Sequence, residues 1–397
     1  MAFSEIFVQE HRDPGARART GRILLPHGQV QTPAFMPVGT NATVKAARVE
    51  DLQAMGFQIV LANTYHLYLR PGHELIRRAG GLHGFSGWKG NFLTDSGGFQ
   101  IFSLSSLRKI SPEGFKFRSH IDGSEHFLRP EDVVDIQGAF NSDIQMQLDV
   151  CSAWGEDEKK ARKYLLITHD WARRAKARWQ TLREETGYQG SLFGIVQGNF
   201  FKELRKESAE RIAELDLPGI AIGGLSVGEP KEVFVEFLEH SAGFLPESKP
   251  RYLMGIGTPD YILEAVENGI DIFDCVYPTR TARNGLLFTA RGQISIKKAV
   301  YEKDFSPIDP ECSCPVCSTY SRAYLRHLYR NGEILYSMLA TQHNLHFLAE
   351  MIRGIRLSIL QNRFREYKKA FLDRYEGSGN AESSGNAKGS GNAEGAF

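Results

Sequence analysis

Cysteine is scarce: five residues in 397, an odd number, with three crowded into ECSCPVC (311–317), so no disulfide framework holds a chain of this size together. Long apolar runs are missing too. No stretch approaches the ~18 residues of a membrane-spanning helix, and the start, MAFSEIFVQEHRDPG, lacks the basic flank and apolar run of a secretory leader. The expectation is a soluble, cytoplasmic protein with no membrane partner. Nor is there an excess of one charge: 48 Lys+Arg stand against 47 Asp+Glu, which excludes a uniformly basic surface and leaves any polyanionic partner to a local patch. What the chain does have is apolar bulk, 42% hydrophobic residues, enough for a large core in one domain with appendages or in two.

The crowded thiols point to a metal. Cys312 and Cys314 are too close in sequence for a relaxed disulfide, while thiolates two and three residues apart, on a turn stiffened by Pro315, converge on one ion. A fourth ligand is wanted. The two helices read over 318–355, broken at Asn331–Gly332, offer His327, His343 and His346. Three Cys and one His close a tetrahedral site, so the expected cofactor is one structural Zn2+ per chain, against the competing reading of reduced surface thiols.

Upstream, short apolar runs occur at PAFMPV (33–38), FQIVLA (57–62), NFLTD (91–95), DIQMQLD (143–149), SLFGIVQ (191–197), GIAIGG (219–224), RYLMGIG (251–257) and IDIFDCV (270–276). Helical patterns separate most of them, at 44–55, 157–184, 202–215, 231–242 and 259–268. Such alternation predicts an α/β fold, a (β/α)8 TIM barrel. An open doubly wound sheet is the competitor, but no Gly-x-Gly-x-x-Gly follows the first strand. The expected organisation is a barrel over 1–298 with N-terminal strands, a zinc-bearing helical subdomain over 299–376 and a Gly/Ser/Asn/Ala tail over 377–397 too polar to fold. Hairpins are read at 116–130, inserted after the third strand, and at 285–298.

A barrel gathers its chemistry where strands end. Asp95, Asp149, Gln197, Gly223–Gly224 and Asp274 fall at or near the ends of the third, fourth, fifth, sixth and eighth strands. Any one Asp there could simply cap the next helix, but the set rings one mouth. Two carboxylates, one to attack and one to exchange a proton, equip such a mouth to cleave a glycosidic bond through a covalent sugar ester. Asp149, Gln197, the Gly224 amide and Phe99 could hold a planar heterocycle.

The motifs NTYHLYLRPG, TDSGGFQ, GIVQG, GGLSVGE, MGIGTPDY, DCVYPTRTARNG and CSCPVC, with a His 26 residues beyond the last Cys, make residues 5–370 resemble the tRNA-guanine transglycosylases (queuine tRNA-ribosyltransferases). The resemblance implies Asp274 as nucleophile toward the wobble ribose and Asp95 as general acid/base. It implies a base pocket of Asp95, Ser96, Gly97, Gly98, Phe99, Asp149, Gln197, Gly224, Leu225 and Met254. RNA-binding segments would fall on Gly255, Ile256, Gly257, Thr258, Pro259, Asp260 and Tyr261, and on Thr279, Arg280, Thr281, Ala282 and Arg283. Zinc would sit on Cys312, Cys314, Cys317 and His343. The expected partners are a tRNA with a wobble guanosine, a 7-deazaguanine base and a second copy of the chain, for which Tyr320, Tyr324, Tyr329, Tyr336 and Phe347 are candidate contacts. Cys151 and Val227 match the bacterial pattern, which implies 7-aminomethyl-7-deazaguanine rather than queuine as the inserted base. The run DVC at 149–151 departs from the family's more usual Asp-Glu-Cys.

Several features carry less. Over 318–376 the ten Lys/Arg outnumber five Asp/Glu, a modest basic excess that fits an RNA contact or a solvated face. Trp171 and Trp179 read as an outer barrel helix, and His66 and His73 as polar anchors of a loop. A non-catalytic RNA-binding paralogue and a small-sugar glycosidase are the readings from other classes.

Overall fold

The computed structural model describes residues 5–104 and 108–377, so the expected tail falls outside the described residues beyond Gly377. Eight parallel strands form one sheet: β1 (Ala34–Pro37), β2 (Ile59–Ala62), β3 (Asn91–Thr94), β4 (Ile144–Met146), β5 (Ser191–Val196), β6 (Gly219–Ile222), β7 (Arg251–Leu253) and β8 (Ile272–Cys275). Their order around the sheet is β1-β8-β7-β6-β5-β4-β3-β2. The remaining seam, between β1 and β2, is closed by one parallel bridge, Val38 to Leu61, and by the Gly39 N–H donating to the Leu61 carbonyl at 2.6 Å. The fold is therefore the expected barrel rather than an open sheet.

Side-chain alternation sorts each strand between two cores. Met36, Leu61, Leu93, Ile144, Met146, Phe193, Ile195, Ala221, Tyr252 and Ile272 fill the inside of the barrel. Their alternates Phe35, Val60, Phe92, Val196, Ile220, Leu253 and Phe273 face the helices. A three-stranded antiparallel sheet (Phe7–Arg12, Arg19–Leu25, Gly28–Thr32) stops one end, with Phe7, Ile23 and Val30 completing the interior cluster.

Two segments differ from their sequence reading. The insert after β3 is three-stranded (Arg108–Ser111, Gly114–Arg118, Glu125–Leu128), because its first strand, RKIS, has too little apolar content to be recognised. The helix expected at 44–55 begins only at Val49, since Ala42 and Ala46 take left-handed φ values of 59° and 63° that no helix accommodates. The hairpin within 285–298 and the break at Asn331–Gly332 are as expected. Trp171 and Trp179 are fully buried on the helix Glu158–Thr186, their indole N–H groups donating to the carbonyls of Pro112 at 2.7 Å and Gly190 at 2.9 Å.

At the stopped end, Arg19 holds Asp271 with two charge-assisted hydrogen bonds, Nε to Oδ1 at 3.0 Å and Nη2 to Oδ2 at 2.6 Å, and both side chains are buried. The Arg251 N–H adds a third bond to Asp271 at 2.7 Å. Asp271→Ala strands a buried guanidinium, for which the expected cost is about 3–5 kcal/mol. A urea midpoint equal to that of the wild type would show that the pair does not anchor the N-terminal sheet.

Candidate active site and metal centre

The inward rows of the barrel strands, continued by two residues, reach the polar ring. Leu93 leads to Asp95, Ile195 to Gln197, Ala221 to Gly223 and Ile272 to Asp274, all at the open end. Asp95 is buried; the Thr64 N–H meets its Oδ1 at 2.8 Å and the Asn63 amide its Oδ2. Burial pushes its pKa up to about 6 against the bonds from Asn63 and Thr64, and the charge of Asp274 pushes the same way. The two carboxylates thus share one mouth. Asp274 is raised by burial and steadied on one oxygen, Oδ1, by the Tyr252 hydroxyl at 2.6 Å and the Gly255 N–H at 3.0 Å.

Beside them, Asp149 accepts from the Gln197 amide at 2.7 Å and the Ser96 hydroxyl at 3.1 Å, and burial raises its pKa. Gly98 packs so tightly that a Cβ there would lie 2.8 Å from the Asp149 carbonyl. Gly224, at φ +65°, would bring a Cβ within 2.4 Å of the Gln197 amide oxygen. Both positions demand glycine. Leu225 is buried, Met254 half-buried, and Phe99 exposed on the helix that follows Gly97. Cys151 is buried next to Asp149, and its thiol is pushed up to about 12, so it stays neutral.

The segments implied for RNA are split between surface and interior. Gly255 is exposed, whereas Ile256 and Pro259 are buried, Gly257 abuts Cys275, and Asp260 pairs with Lys231 at 2.7 Å. On the helix Tyr277–Arg283, Arg280 is exposed, while Thr279 and Ala282 are buried and belong to its packing face. Arg283 is half-buried.

At the C-terminal side, Cys312, Cys314 and Cys317 point their sulfurs at His343 Nδ1, at 3.8, 3.5 and 3.4 Å. A tetrahedral ion with sulfur at about 2.3 Å and nitrogen at about 2.0 Å separates the two by about 3.5 Å, so the donor set fits. The opposite ring nitrogen, Nε2, donates to the Phe288 carbonyl at 2.7 Å, which leaves the Nδ1 lone pair facing the thiols. These four residues form a group that could hold a metal ion. His327 lies exposed beside Asn331, and His346 is half-buried with its Nε2 3.7 Å from Glu350; neither joins the cluster of sulfurs.

The candidate dimer contacts need correction. Tyr336 is buried with its hydroxyl on the Ala282 carbonyl and belongs to the core, while Phe347 is half-buried and packs on Phe288 and Phe371. Tyr320 and Tyr324 remain as a stacked surface pair. Much of the basic excess of the C-terminal helices is spent on local pairs, Arg322 with Asp304, Arg326 with Glu302, Arg365 and Lys368 with Glu267, and Arg374 with Glu311. His66 sits edge-on to Tyr65 and His120, and His73 stacks on Tyr68.

Sequence reasoning missed Asn63, Thr64, Tyr252, Arg205 and Glu229. Tyr252 looks like one more apolar strand residue, and Arg205 hides in the charged run KELRKESAERIAEL. Glu229 accepts from the N–H groups of Ser226 and Val227, at 2.5 and 2.8 Å, and so shapes the wall after Leu225.

Fold and site together define a (β/α)8 barrel of the kind that carries enzyme sites at its open end, with Asp95 and Asp274 gathered there beside the hydrogen-bonded Asp149 and Gln197. A family model described as "Queuine tRNA-ribosyltransferase" matches residues 13–377. A Queuine tRNA-ribosyltransferase of Treponema denticola is 61% identical over 372 residues, 94% of this chain and 98% of that one. Those of Caldanaerobacter subterraneus subsp. tengcongensis and Borrelia hermsii are each 53% identical, over 92% and 93% of this chain and 96% and 98% of theirs. The chain belongs to the queuine tRNA-ribosyltransferase family, and as an enzyme it is a tRNA-guanine transglycosylase of queuosine modification. Among the described residues, no helix is long and apolar enough to cross a membrane.

Proposed function

We propose that the enzyme exchanges guanine at the tRNA wobble position for 7-aminomethyl-7-deazaguanine by two displacements at C1′ of the ribose. The observation that carries this reading is the electrostatic coupling of Asp95 and Asp274 at one mouth, next to the Asp149–Gln197–Gly224 slot. Both structural hydrogen bonds to Asp274 fall on Oδ1, so Oδ2 is the attacking atom. Its lone pair forms the ester bond to C1′ while the bond to the guanine N9 breaks. Asp95, with a pKa near neutrality, gives a proton to the departing base. In the second half Asp95 takes the N9 proton of the incoming base, whose nitrogen attacks C1′ and returns the electron pair to Asp274.

Asp149 reads ring N–H and amino donors, Phe99 covers the ring face, and Arg280 and Arg283 meet phosphates. Zinc on Cys312, Cys314, Cys317 and His343 would supply structure only, since a four-ligand site has no place for substrate. Cys151 and the wall at Val227 favour the aminomethyl base over the bulkier queuine. The Tyr320–Tyr324 pair offers a contact for a second copy.

The test is incorporation of labelled guanine into unmodified tRNA, with a slow-migrating protein–RNA adduct on a denaturing gel. No exchange would overturn the reading, and efficient use of queuine with none of the aminomethyl base would overturn its specificity.

The pH dependence has a definite sign. Asp95 is raised to about 6, so its base form is lost as pH falls through that value, and base incorporation should drop tenfold per unit on the acid side. The Asn63 amide holds that pKa down. Asn63→Leu should therefore move the acid limb to higher pH. A limb that stays in place, measured as kcat/KM for the free base, would remove Asp95 as the titrating group.

A further inference from the structure

Arg205 has no assigned part in the reaction, yet its position is unusual for a cation. It lies on the first turns of the helix Lys202–Glu214 and is completely buried. No carboxylate forms an ion pair with it among the described residues. Instead its donors end on backbone carbonyls: Nε on Asn199 at 2.7 Å, Nη1 on Gly223 at 2.7 Å and on Val196 at 3.5 Å, and Nη2 on Gly224 at 2.9 Å. A buried guanidinium costs heavily unless its hydrogen bonds are satisfied, and here the planar fork fits two consecutive carbonyls of the pocket wall.

A peptide group is planar, with its C=O and N–H pointing in opposite directions. A fork that draws the carbonyls of Gly223 and Gly224 toward the Arg205 side turns the N–H groups of Gly224 and Leu225 the other way, toward the base slot. Neither N–H meets a backbone or side-chain acceptor among the described residues. The left-handed φ of Gly224, which its contact with Gln197 restricts to glycine, lets both carbonyls face the fork. Hydrogen bonding to a carbonyl also polarises its peptide and strengthens the N–H on the far side.

We infer that Arg205 is a positioning residue that aims and polarises the Gly224 and Leu225 amides at the 6-oxygen of the bound base. As the bond to N9 breaks, ahead of proton transfer from Asp95, negative charge develops on the departing base and part of it appears on that oxygen. Preorganised N–H donors then stabilise the departing base more than the bound one. Arg205 touches no substrate atom and acts only through two peptides.

The inference rests on the proposed base exchange, and its test separates the two. Competitive inhibition of guanine incorporation is measured for guanine-like and 6-deoxo bases, 7-deazaguanine against 2-amino-7-deazapurine, with wild type, Arg205→Met and Arg205→Lys. Wild type should prefer the 6-oxo base. The preference should fall about tenfold in Arg205→Met, the scale expected for weakening oxyanion-type donors without deleting them. Arg205→Lys, which keeps the charge but not the fork, should fall between. KM for tRNA should not change. A merely structural role would weaken both bases alike and lower the active fraction, so an unchanged preference in a folded variant overturns the inference. Should Arg205→Met not fold, the lysine variant decides by the same ratio. A wild type that exchanges no guanine, or ignores the 6-oxygen, would count against the underlying base-exchange reading instead.

Discussion

Asp274→Asn should abolish the gel-stable RNA adduct and lower guanine exchange by about 10⁴-fold or more, the range seen when a covalent nucleophile is removed. The substitution is nearly isosteric. The amide oxygen can keep the bonds from the Tyr252 hydroxyl and the Gly255 N–H on Oδ1, which places the NH2 group where Oδ2 must attack. An amide nitrogen with its lone pair delocalised is no nucleophile toward C1′. Stability should move the other way, because burial raises the pKa of Asp274 and ionising it therefore weighs against folding. Thermal unfolding of Asp274→Asn at neutral pH should be equal to or above that of wild type. Residual exchange within a factor of about 10² of wild type would reject the covalent assignment and leave Asp274 as an electrostatic group only.

Metal removal should produce the second large effect, and it should be a folding effect. Structural zinc sites in small domains have apparent binding energies of about 10–16 kcal/mol at neutral pH. Here the thiols sit on a short turn packed against Val316, Leu325, Leu328, Tyr336 and Leu339, a separate hydrophobic cluster that a metal crosslink between the thiols and His343 would fix in place. The crosslink reaches further through the helix Ile334–Leu360. His343 adjoins Asn344, whose amide donates to the carbonyls of Pro278 at 3.0 Å and Leu286 at 3.2 Å, while Tyr336 holds Ala282. Chelation, or Cys317→Ala, should lower the unfolding temperature and open the 299–330 region to protease. Formation of the tRNA adduct should fall because the helix after β8 loses its support, while the base slot on β4 to β6 keeps its affinity for free guanine. A metal-free protein with the full unfolding temperature and protease resistance would show that the ion is not structural.

All eight barrel strands were legible because each is a short apolar run, and five of them end at a polar residue, Asn63, Asp95, Asp149, Gln197 or Asp274. Asp95, Asp149, Gln197 and Asp274 were singled out by their place at strand ends, and the three cysteines by their spacing on a turn, a local property that the structure bears out by bringing their sulfurs together. The choice of His343 over His327 and His346 was different: only tertiary packing brings residue 343 to the sulfurs, and the family likeness had to supply what spacing could not. Tyr252, Asn63 and Arg205 escaped for the same reason. Their work is done between neighbouring strand ends, on partners 22, 32 and 18–19 residues away in sequence. Tyr336 was misplaced at a subunit surface because an aromatic near a helix start looks alike whether it faces solvent or core.

Seven of the eight seams of the barrel are ladders of at least two residue pairs, and the eighth is a single bridge at Val38 and Leu61. The ring of strands is thus joined most thinly at that one place. It lies two residues before Asn63 and three before Thr64, which both bond Asp95, and on its other side Val38 follows two residues after Met36, the register partner of Asp274, so the two carboxylates stand on either flank of the thinnest joint in the ring.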